Sequence, residues 1–182
     1  PGQPTVRTPF CFSETPTGVT MKKSRLVMVG NGMAGVRSLE ELLKIAPDLY
    51  DITVFGAEPH PNYNRILLSP VLAGEQTIDE IILNDWQWYA DNHITLHTGF
   101  TVTDVDRVRR IVHATSATGE TITAEYDRLI MATGSNPFIL PIPGKELQGV
   151  LAYRDIADTQ AMIDAAVTYK HAVVIGGGLL GL

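Results

Sequence analysis

The sequence has a single cysteine, Cys11, among its 182 residues. Within these residues, that scarcity excludes an internal disulfide, a Cys-x-x-Cys redox pair and a metal site built from thiolates. No apolar run approaches the roughly 18 residues that a membrane-spanning helix needs. Basic residues are also few, 14 Lys and Arg against 20 Asp and Glu, which argues against nucleic acid or a membrane as a partner. The composition therefore predicts a globular, cytoplasmic α/β protein.

Residues 1–20 contain four prolines and show neither helical nor strand periodicity. They also lack the apolar core of a signal peptide. We expect them to be a disordered tail or an upstream extension, with the natural start at Met21. Cys11 would then be an isolated thiol rather than a nucleophile.

A glycine motif follows the first hydrophobic segment. Residues 25–29 are the apolar and β-branched type found in buried parallel strands, and residues 30–35 read G-x-G-x-x-G. The sequence then predicts an amphipathic helix that ends at Pro47, and a second strand over residues 51–55.

Each residue type in this unit suits dinucleotide binding. Gly30 permits the tight turn, Gly32 lets the backbone approach a pyrophosphate, and Gly35 lets helix and strand pack closely. The free N–H groups of Met33 and Ala34, at the start of the helix, favour an anion there.

Glu58 follows the second strand, 23 residues beyond Gly35, where a carboxylate can accept both hydroxyls of an adenosine ribose. Because strand, turn, helix, strand and acid occur in the required order, we predict a dinucleotide site. The alternative is a glycine-rich turn beside a solvated glutamate.

A second G-x-G-x-x-G, formed by Gly176, Gly178 and Gly181, follows a predicted helix over residues 155–167 and a predicted strand over residues 171–175. One such unit spans only about 30 residues, so motifs that lie 146 residues apart require two nucleotide-binding domains. The sequence stops one residue after the second motif, before its helix.

Between the motifs, the pattern predicts a helix at residues 86–90, one alternating strand at 94–102, and a hairpin of strands 109–114 and 121–124. Residues 126–131 form a further predicted strand. That strand leads to Thr133 and Gly134, a small-residue turn of the kind that receives a ligand at the carboxyl edge of an open sheet. Prolines 137, 141 and 143 mark a connector.

This order of motifs resembles the pyridine nucleotide-disulfide oxidoreductase-like flavoproteins, which include ferredoxin and rubredoxin reductases. The resemblance covers residues 24–182. It implies an α/β, Rossmann-like FAD-binding domain over residues 21–140, with a parallel sheet, helices and a β-meander. Residues 141–182 would be the connector and the truncated start of a second Rossmann-like, NAD(P)-binding domain.

Residues 61–74, PNYNRILLSPVLAG, carry a narrower resemblance. Together with the NGMAG of the first turn, they are similar to the FAD domain of the NAD(P)H-dependent assimilatory nitrite reductase large subunits. Ferredoxin reductases of the same fold tend to have Asp at the position of Asn64 and Lys at that of Pro70, which argues against that branch.

The resemblance assigns cofactor-binding residues position by position. Arg65 matches an arginine near the flavin phosphate and ribose, although a solvated loop arginine is the alternative, and Val102 matches a residue whose backbone pairs with adenine. The predicted FAD-binding residues are Gly30, Gly32, Met33, Ala34, Gly35, Glu58, Arg65, Val102, Thr133 and Gly134. The predicted NAD(P)-binding residues are Gly176, Gly178 and Gly181. We predict no catalytic side chain and no metal ligand, and assign His93 and His97 a structural role.

The resemblance also implies an electron route. NAD(P)H would give a hydride to FAD, and single electrons would pass to a [4Fe–4S] cluster and sirohaem, where nitrite becomes ammonium. Residues 59–74 contain no cysteine, so a dithiol relay is excluded, and the cluster ligands must lie outside these residues. The implied partners are small-molecule cofactors and a small subunit or other redox partner of the full-length enzyme.

Two alternatives stay open at this point: a fragment of a ferredoxin- or rubredoxin-type NAD(P)H reductase, and a non-catalytic nucleotide-binding module. We expect the 182 residues alone to be inactive, because the second domain is cut. The choice between NADH and NADPH is also open.

Overall fold

The structure, a computed structural model, describes residues 22–176. Its strands and helices alternate along the first half of the described chain and are followed by a run of strands. In chain order the elements are β1 (Ser24–Val29), α1 (Met33–Ile45), β2 (Tyr50–Gly56), β3 (Asn62–Tyr63), a short 3-10 helix (Arg65–Leu67), α2 (Leu68–Leu72), a second 3-10 helix (Asp79–Ile81), β4 (Ile82–Asn84), α3 (Trp86–Asp91), β5 (Ile94–Thr98), β6 (Phe100–Asp106), β7 (Ile111–Ser116), β8 (Thr121–Glu125), β9 (Arg128–Met131) and α4 (Ile156–Thr168).

A four-stranded parallel sheet forms the centre, in the order β5-β2-β1-β9. In β1, Leu26 lies opposite Ile52 on one side and Arg128 on the other. Residues 26–29 of this strand are all buried, which explains their unbroken apolar sequence: both faces of the strand are covered.

Helices cover one face of this sheet and an antiparallel sheet covers the other. Val36 and Leu39 of α1 and Tyr89 of α3 pack on Met28 and Val54. On the opposite face, the meander β6-β7-β8 contributes one cluster with residues of β1 and β2: Val27, Val29, Phe55, Val112, Ala114 and Tyr126. The predicted α/β class, with parallel sheet, helices and β-meander, is confirmed.

The helix α1 follows from its periodicity. Val36 and Leu39 are buried, while Arg37, Glu41 and Lys44 lie on the solvent side. Glu41 pairs with Arg37 at 2.6 Å and with Lys44 at 2.9 Å. The helix ends at Ile45, two residues before Pro47, as predicted.

The prediction of one strand over residues 94–102 is wrong. The chain turns at Gly99, whose φ is +73°, so β5 ends in the parallel sheet and β6 begins in the antiparallel one. The predicted hairpin, in contrast, is confirmed, with Ala114 of β7 opposite Ile122 of β8.

The predicted strand over residues 171–175 is also absent. These residues are irregular and exposed, with Val173 at 88 % exposure. A strand is stable only beside another strand, and no described strand runs next to this segment. The predicted helix before it is present as α4, capped by the Asp155 side chain, which accepts from the Asp158 N–H at 2.8 Å.

A third cluster joins α4 to the segment after β2. Ile156 at the start of α4 packs with Tyr63, Leu68, Val71 and Ile81. The Tyr153 hydroxyl also hydrogen-bonds the Ser69 hydroxyl at 3.0 Å. The end of the connector thus packs against the segment that follows β2.

Candidate functional site

The first glycine turn has the close contacts that require glycine. Gly30 has φ +108°, and a Cβ on it would lie 2.1 Å from the carbonyl oxygen of Ala132. A Cβ on Gly35 would lie 2.9 Å from the Ala132 Cβ and 3.0 Å from the Met28 sulfur. Turn, helix and strand β9 therefore approach more closely than side chains would allow. Gly32 is different, since a Cβ there would meet nothing within 4 Å.

A cleft of about 130 Å³ opens at the carboxyl ends of β1, β2 and β9. Six of the predicted site residues line it: Gly30, Gly32, Glu58, Arg65, Thr133 and Gly134. A larger cavity of about 290 Å³ lies at the opposite edge of the sheet, between residues such as Lys23, Arg25 and Tyr50. Open α/β sheets bind ligands at the carboxyl edge, so the smaller cleft is the candidate site.

The other four predicted FAD residues do not line the cleft. Met33, Ala34 and Gly35 form the first turn of α1, directly after Gly32. Val102 lies in β6 opposite Ala114, where a β-bulge between Val102 and Asp104 interrupts the ladder.

Glu58 is held by two side chains of the residue 61–74 segment. Its Oε2 accepts from the Tyr63 hydroxyl at 2.7 Å, and its Oε1 accepts from the Arg65 guanidinium. That guanidinium also lies 5.0 Å from the centre of the Tyr63 ring and donates to the Arg154 carbonyl at 3.1 Å. Glu58 and Arg65 keep only 28 % and 27 % of their side-chain surface exposed, so Arg65 is fixed in the cleft wall.

Burial raises the pKa of Tyr63, and the Glu58 carboxylate that it faces raises it further. The hydroxyl therefore remains a hydrogen-bond donor at physiological pH. With Tyr63 and Arg65 both donating to it, the Glu58 carboxylate is held in one orientation within the cleft.

Several residues that line the cleft are not predicted from the sequence: Asn31, His60, Tyr63 and Arg154. Tyr63 could have been found from its place beside Arg65 in the residue 61–74 segment. Arg154 had no such signal, because it reaches the cleft from 89 residues beyond Arg65, where its guanidinium lies 3.3 Å from the Ser135 hydroxyl.

The second glycine motif is largely beyond what the structure describes. Gly176 is the last described residue, exposed and with φ +121°. Gly178 and Gly181 lie outside the described residues, so the NAD(P) assignment stays a prediction.

His93 and His97, to which the sequence assigns a structural role, lie in different parts of the fold. His97 stacks on Phe55 with ring centres 5.1 Å apart, and burial lowers its pKa. His93 precedes β5 with φ 54° and lines the larger cavity at the far edge of the sheet. Within residues 22–176, no three His, Cys, Asp or Glu side chains come together as metal ligands would. Nor does any helix in that range have the length and apolar character to cross a membrane.

The fold is Rossmann-like, with an open cleft at the carboxyl edge of its parallel sheet, and comparison with known families gives the class of protein. Residues 24–182 match the family described as pyridine nucleotide-disulphide oxidoreductase. The chain belongs to this family of oxidoreductases.

Two curated relatives come from Bacillus subtilis (strain 168). The chain is 58 % identical to "Nitrite reductase [NAD(P)H]" over 162 residues and 52 % identical to "Assimilatory nitrate reductase electron transfer subunit" over 162 residues. Each match covers 89 % of this chain but only 20 % of the relative, so the chain spans about a fifth of their length.

A solved structure, NADH:rubredoxin oxidoreductase from Clostridium acetobutylicum, has a similar fold. It is 28 % identical with a TM-score of 0.75, and the match covers 88 % of this chain and 40 % of that one. These likenesses support the predicted membership of an NAD(P)H-linked redox family with nitrite reductase relatives.

Proposed function

We propose that the cleft binds the adenosine diphosphate part of FAD. The observation that carries the proposal is the open space above Gly32, at the only point of the turn where an added Cβ would touch no other part of the protein. A pyrophosphate fits there because the N–H groups of Met33, Ala34 and Gly35 begin α1 next to it.

Glu58 would accept hydrogen bonds from the ribose hydroxyls. A carboxylate has about four acceptor positions, so the bonds from Tyr63 and Arg65 leave room for two more. Thr133 and Gly134 close the cleft from the β9 side. The Val102 backbone, at the interruption of the β6–β7 ladder, remains our proposal for the adenine contact.

The chain would be the flavin end of an NAD(P)H:nitrite reductase, and the 58 % identity to a protein of that name supports this. When bound, FAD supplies the exchange between two-electron hydride chemistry and single-electron chemistry. Because residues 59–74 lack cysteine, the electrons would leave by a route other than a dithiol. Sirohaem, the [4Fe–4S] cluster and any small subunit or redox partner would belong to the remainder of the enzyme. NAD(P)H would bind at Gly176, Gly178 and Gly181.

A second candidate is transfer of electrons to a separate carrier protein. The likeness to a rubredoxin oxidoreductase and to a nitrate reductase electron transfer subunit favours it. The two candidates share the FAD cleft and differ in the acceptor.

The test uses protein expressed from its complete natural gene. Cofactor-free protein is titrated with FAD, FMN and ADP. We expect FAD to bind at least about a hundredfold more tightly than FMN, because FMN lacks the adenosine that Glu58 would hold, and ADP to compete with FAD. Equal affinities for FMN and FAD would contradict the assignment of the cleft.

The acceptor is tested by following NAD(P)H oxidation with nitrite alone, or with rubredoxin or ferredoxin. Nitrite-dependent oxidation that yields ammonium supports the first candidate, and oxidation that requires a carrier protein supports the second. ADP binding without any bound flavin would leave a nucleotide-binding module.

A further inference from the structure

Asn31 lies between Gly30 and Gly32, and its side chain joins the cleft wall to the core. Its Nδ2 donates to the His60 carbonyl at 3.3 Å, and its Oδ1 accepts from the Tyr89 hydroxyl at 2.6 Å. A Cβ on Gly56 would be 2.9 Å from the Asn31 Cβ, so this side chain rests directly on the end of β2.

Tyr89 comes from α3, outside the glycine unit. It is 2 % exposed and packs in the cluster with Met28, Val36 and Leu39, which are fully buried. Burial raises the pKa of its hydroxyl to about 12, so that hydroxyl is a donor at physiological pH. The His60 carbonyl can only accept, so the Asn31 amide is oriented with its nitrogen toward His60 and its oxygen toward the Tyr89 hydroxyl.

The Gly30 end of the turn is held by a backbone hydrogen bond from its N–H to the Phe55 carbonyl at 2.8 Å. In the Gly30-Asn31-Gly32 sequence, Asn31 supplies the only side chain, and glycine is the residue whose backbone has the most conformational freedom. A turn that must present N–H groups to a pyrophosphate binds more tightly when its conformation is set in advance.

We propose that Tyr89 and Asn31 are positioning residues: the Tyr89 hydroxyl, acting through the Asn31 amide, holds the glycine turn in the conformation that dinucleotide binding needs. The inference deepens the proposed function and rests on FAD binding in this cleft. Neither residue is required to react with anything.

The experiment is a double-mutant cycle in protein expressed from the complete natural gene. FAD dissociation constants are measured for wild type, Tyr89→Phe, Asn31→Ala and the double variant, at a temperature well below every unfolding midpoint. Each single variant should bind FAD about tenfold more weakly, since the turn loses its link to α3. The double variant should also be about tenfold weaker, because both changes break one link.

Tyr126→Phe is the matched control, since Tyr126 is a buried tyrosine of the meander cluster on the other face of the sheet. It should leave FAD affinity within about twofold of wild type. A role in stability alone would lower the unfolding midpoint of Tyr89→Phe and leave its FAD affinity unchanged, and that result overturns the inference. So does a double variant about a hundredfold weaker, because the two residues would then act separately.

If Tyr89→Phe does not fold, Asn31→Ala tests the same link from the side of the turn. Unchanged FAD affinity in Asn31→Ala would equally refute the inference. Wild-type protein that folds but does not bind FAD refutes the proposed function, and the inference falls with it. Wild-type binding with unaffected variants refutes the inference alone.

Discussion

Gly32→Ala should weaken cofactor binding while leaving the stability of the fold almost unchanged. The added methyl group would project into space where, apart from the adjoining residues of the chain, nothing lies within 4 Å, so the apoprotein has no clash to relieve. Gly32 also has φ −92°, a value that alanine adopts readily. The same methyl would occupy the position proposed for the pyrophosphate.

The magnitudes follow from that geometry. Gly32 is the N-cap of α1, where alanine is less favourable by up to about 1 kcal/mol, while the loss of backbone freedom in the unfolded chain returns about 0.4–1 kcal/mol. Stability should therefore change by less than about 1 kcal/mol. A phosphate displaced from the turn loses one or two hydrogen bonds to a charged acceptor, about 3 kcal/mol or a hundredfold in FAD affinity.

Gly30→Ala is the matched comparison, with the opposite expectation. A Cβ on Gly30 would lie 2.1 Å from the Ala132 carbonyl oxygen at φ +108°, so strain and displacement should cost about 3 kcal/mol and lower the unfolding midpoint by about 6–12 °C.

The assays are thermal unfolding of each apoprotein, followed by FAD titration monitored through flavin fluorescence. Gly32→Ala with wild-type affinity would mean that the pyrophosphate does not lie above this residue. Gly30→Ala with a wild-type midpoint would mean that β9 does not approach the turn as described.

Two further side chains, His97 and Asp127, should make stability depend on pH. Because burial lowers the pKa of His97, this side chain is protonated at a higher pH in the unfolded chain than in the folded protein, so stability should fall as the pH drops below about 6.5. In urea unfolding between pH values of about 7 and 5, the free energy of unfolding should fall less steeply for His97→Phe than for wild type. Equal slopes for the two proteins would contradict this cause. Asp127 accepts from the Arg25 backbone N–H at 2.8 Å and from its guanidinium, and these bonds lower the Asp127 pKa. Asp127→Asn should therefore lower the unfolding midpoint near neutral pH. The difference in midpoint from wild type should shrink as the pH falls below about 4, because Asp127 then becomes protonated in the unfolded chain. A difference that does not depend on pH would exclude the ion pair with Arg25 as its source.

The sequence predicted the elements whose signals are local. The run from β1 through α1 to β2 and Glu58 could be read because strand, glycine and helix patterns occur within about 35 residues and each has its own periodicity. The division of residues 94–102 between β5 and β6 could not be predicted, since their alternation of apolar and polar residues is the same for one strand as for two. Only the choice of partner strand and the turn at Gly99 distinguish them.

The contacts in the wall of the cleft also depend on packing that the local sequence does not show. Glu58 and Arg65 are visible by spacing and resemblance, but their mutual pairing depends on where the backbone after β2 turns. Arg154 reaches the cleft from just before α4, and Tyr89 of α3 reaches Asn31 behind it. The packing of α4 and α3 leaves no periodic trace near the glycine motif. Val173 and its neighbours carry a strand-like sequence, yet a strand also needs a neighbour.

The pairing of β1 with β9 has a consequence for how the protein is made. Leu26 lies opposite Arg128, 102 residues later, whereas its other neighbour, Ile52, follows after only 26. On the ribosome, the central strand can pair with β2 early but must wait for β9 through roughly 5–20 s of synthesis. During that interval one edge of the central strand has no partner, which makes it a point for chaperone binding or for aggregation. The order in which the two edges of β1 close therefore sets the vulnerable phase of folding.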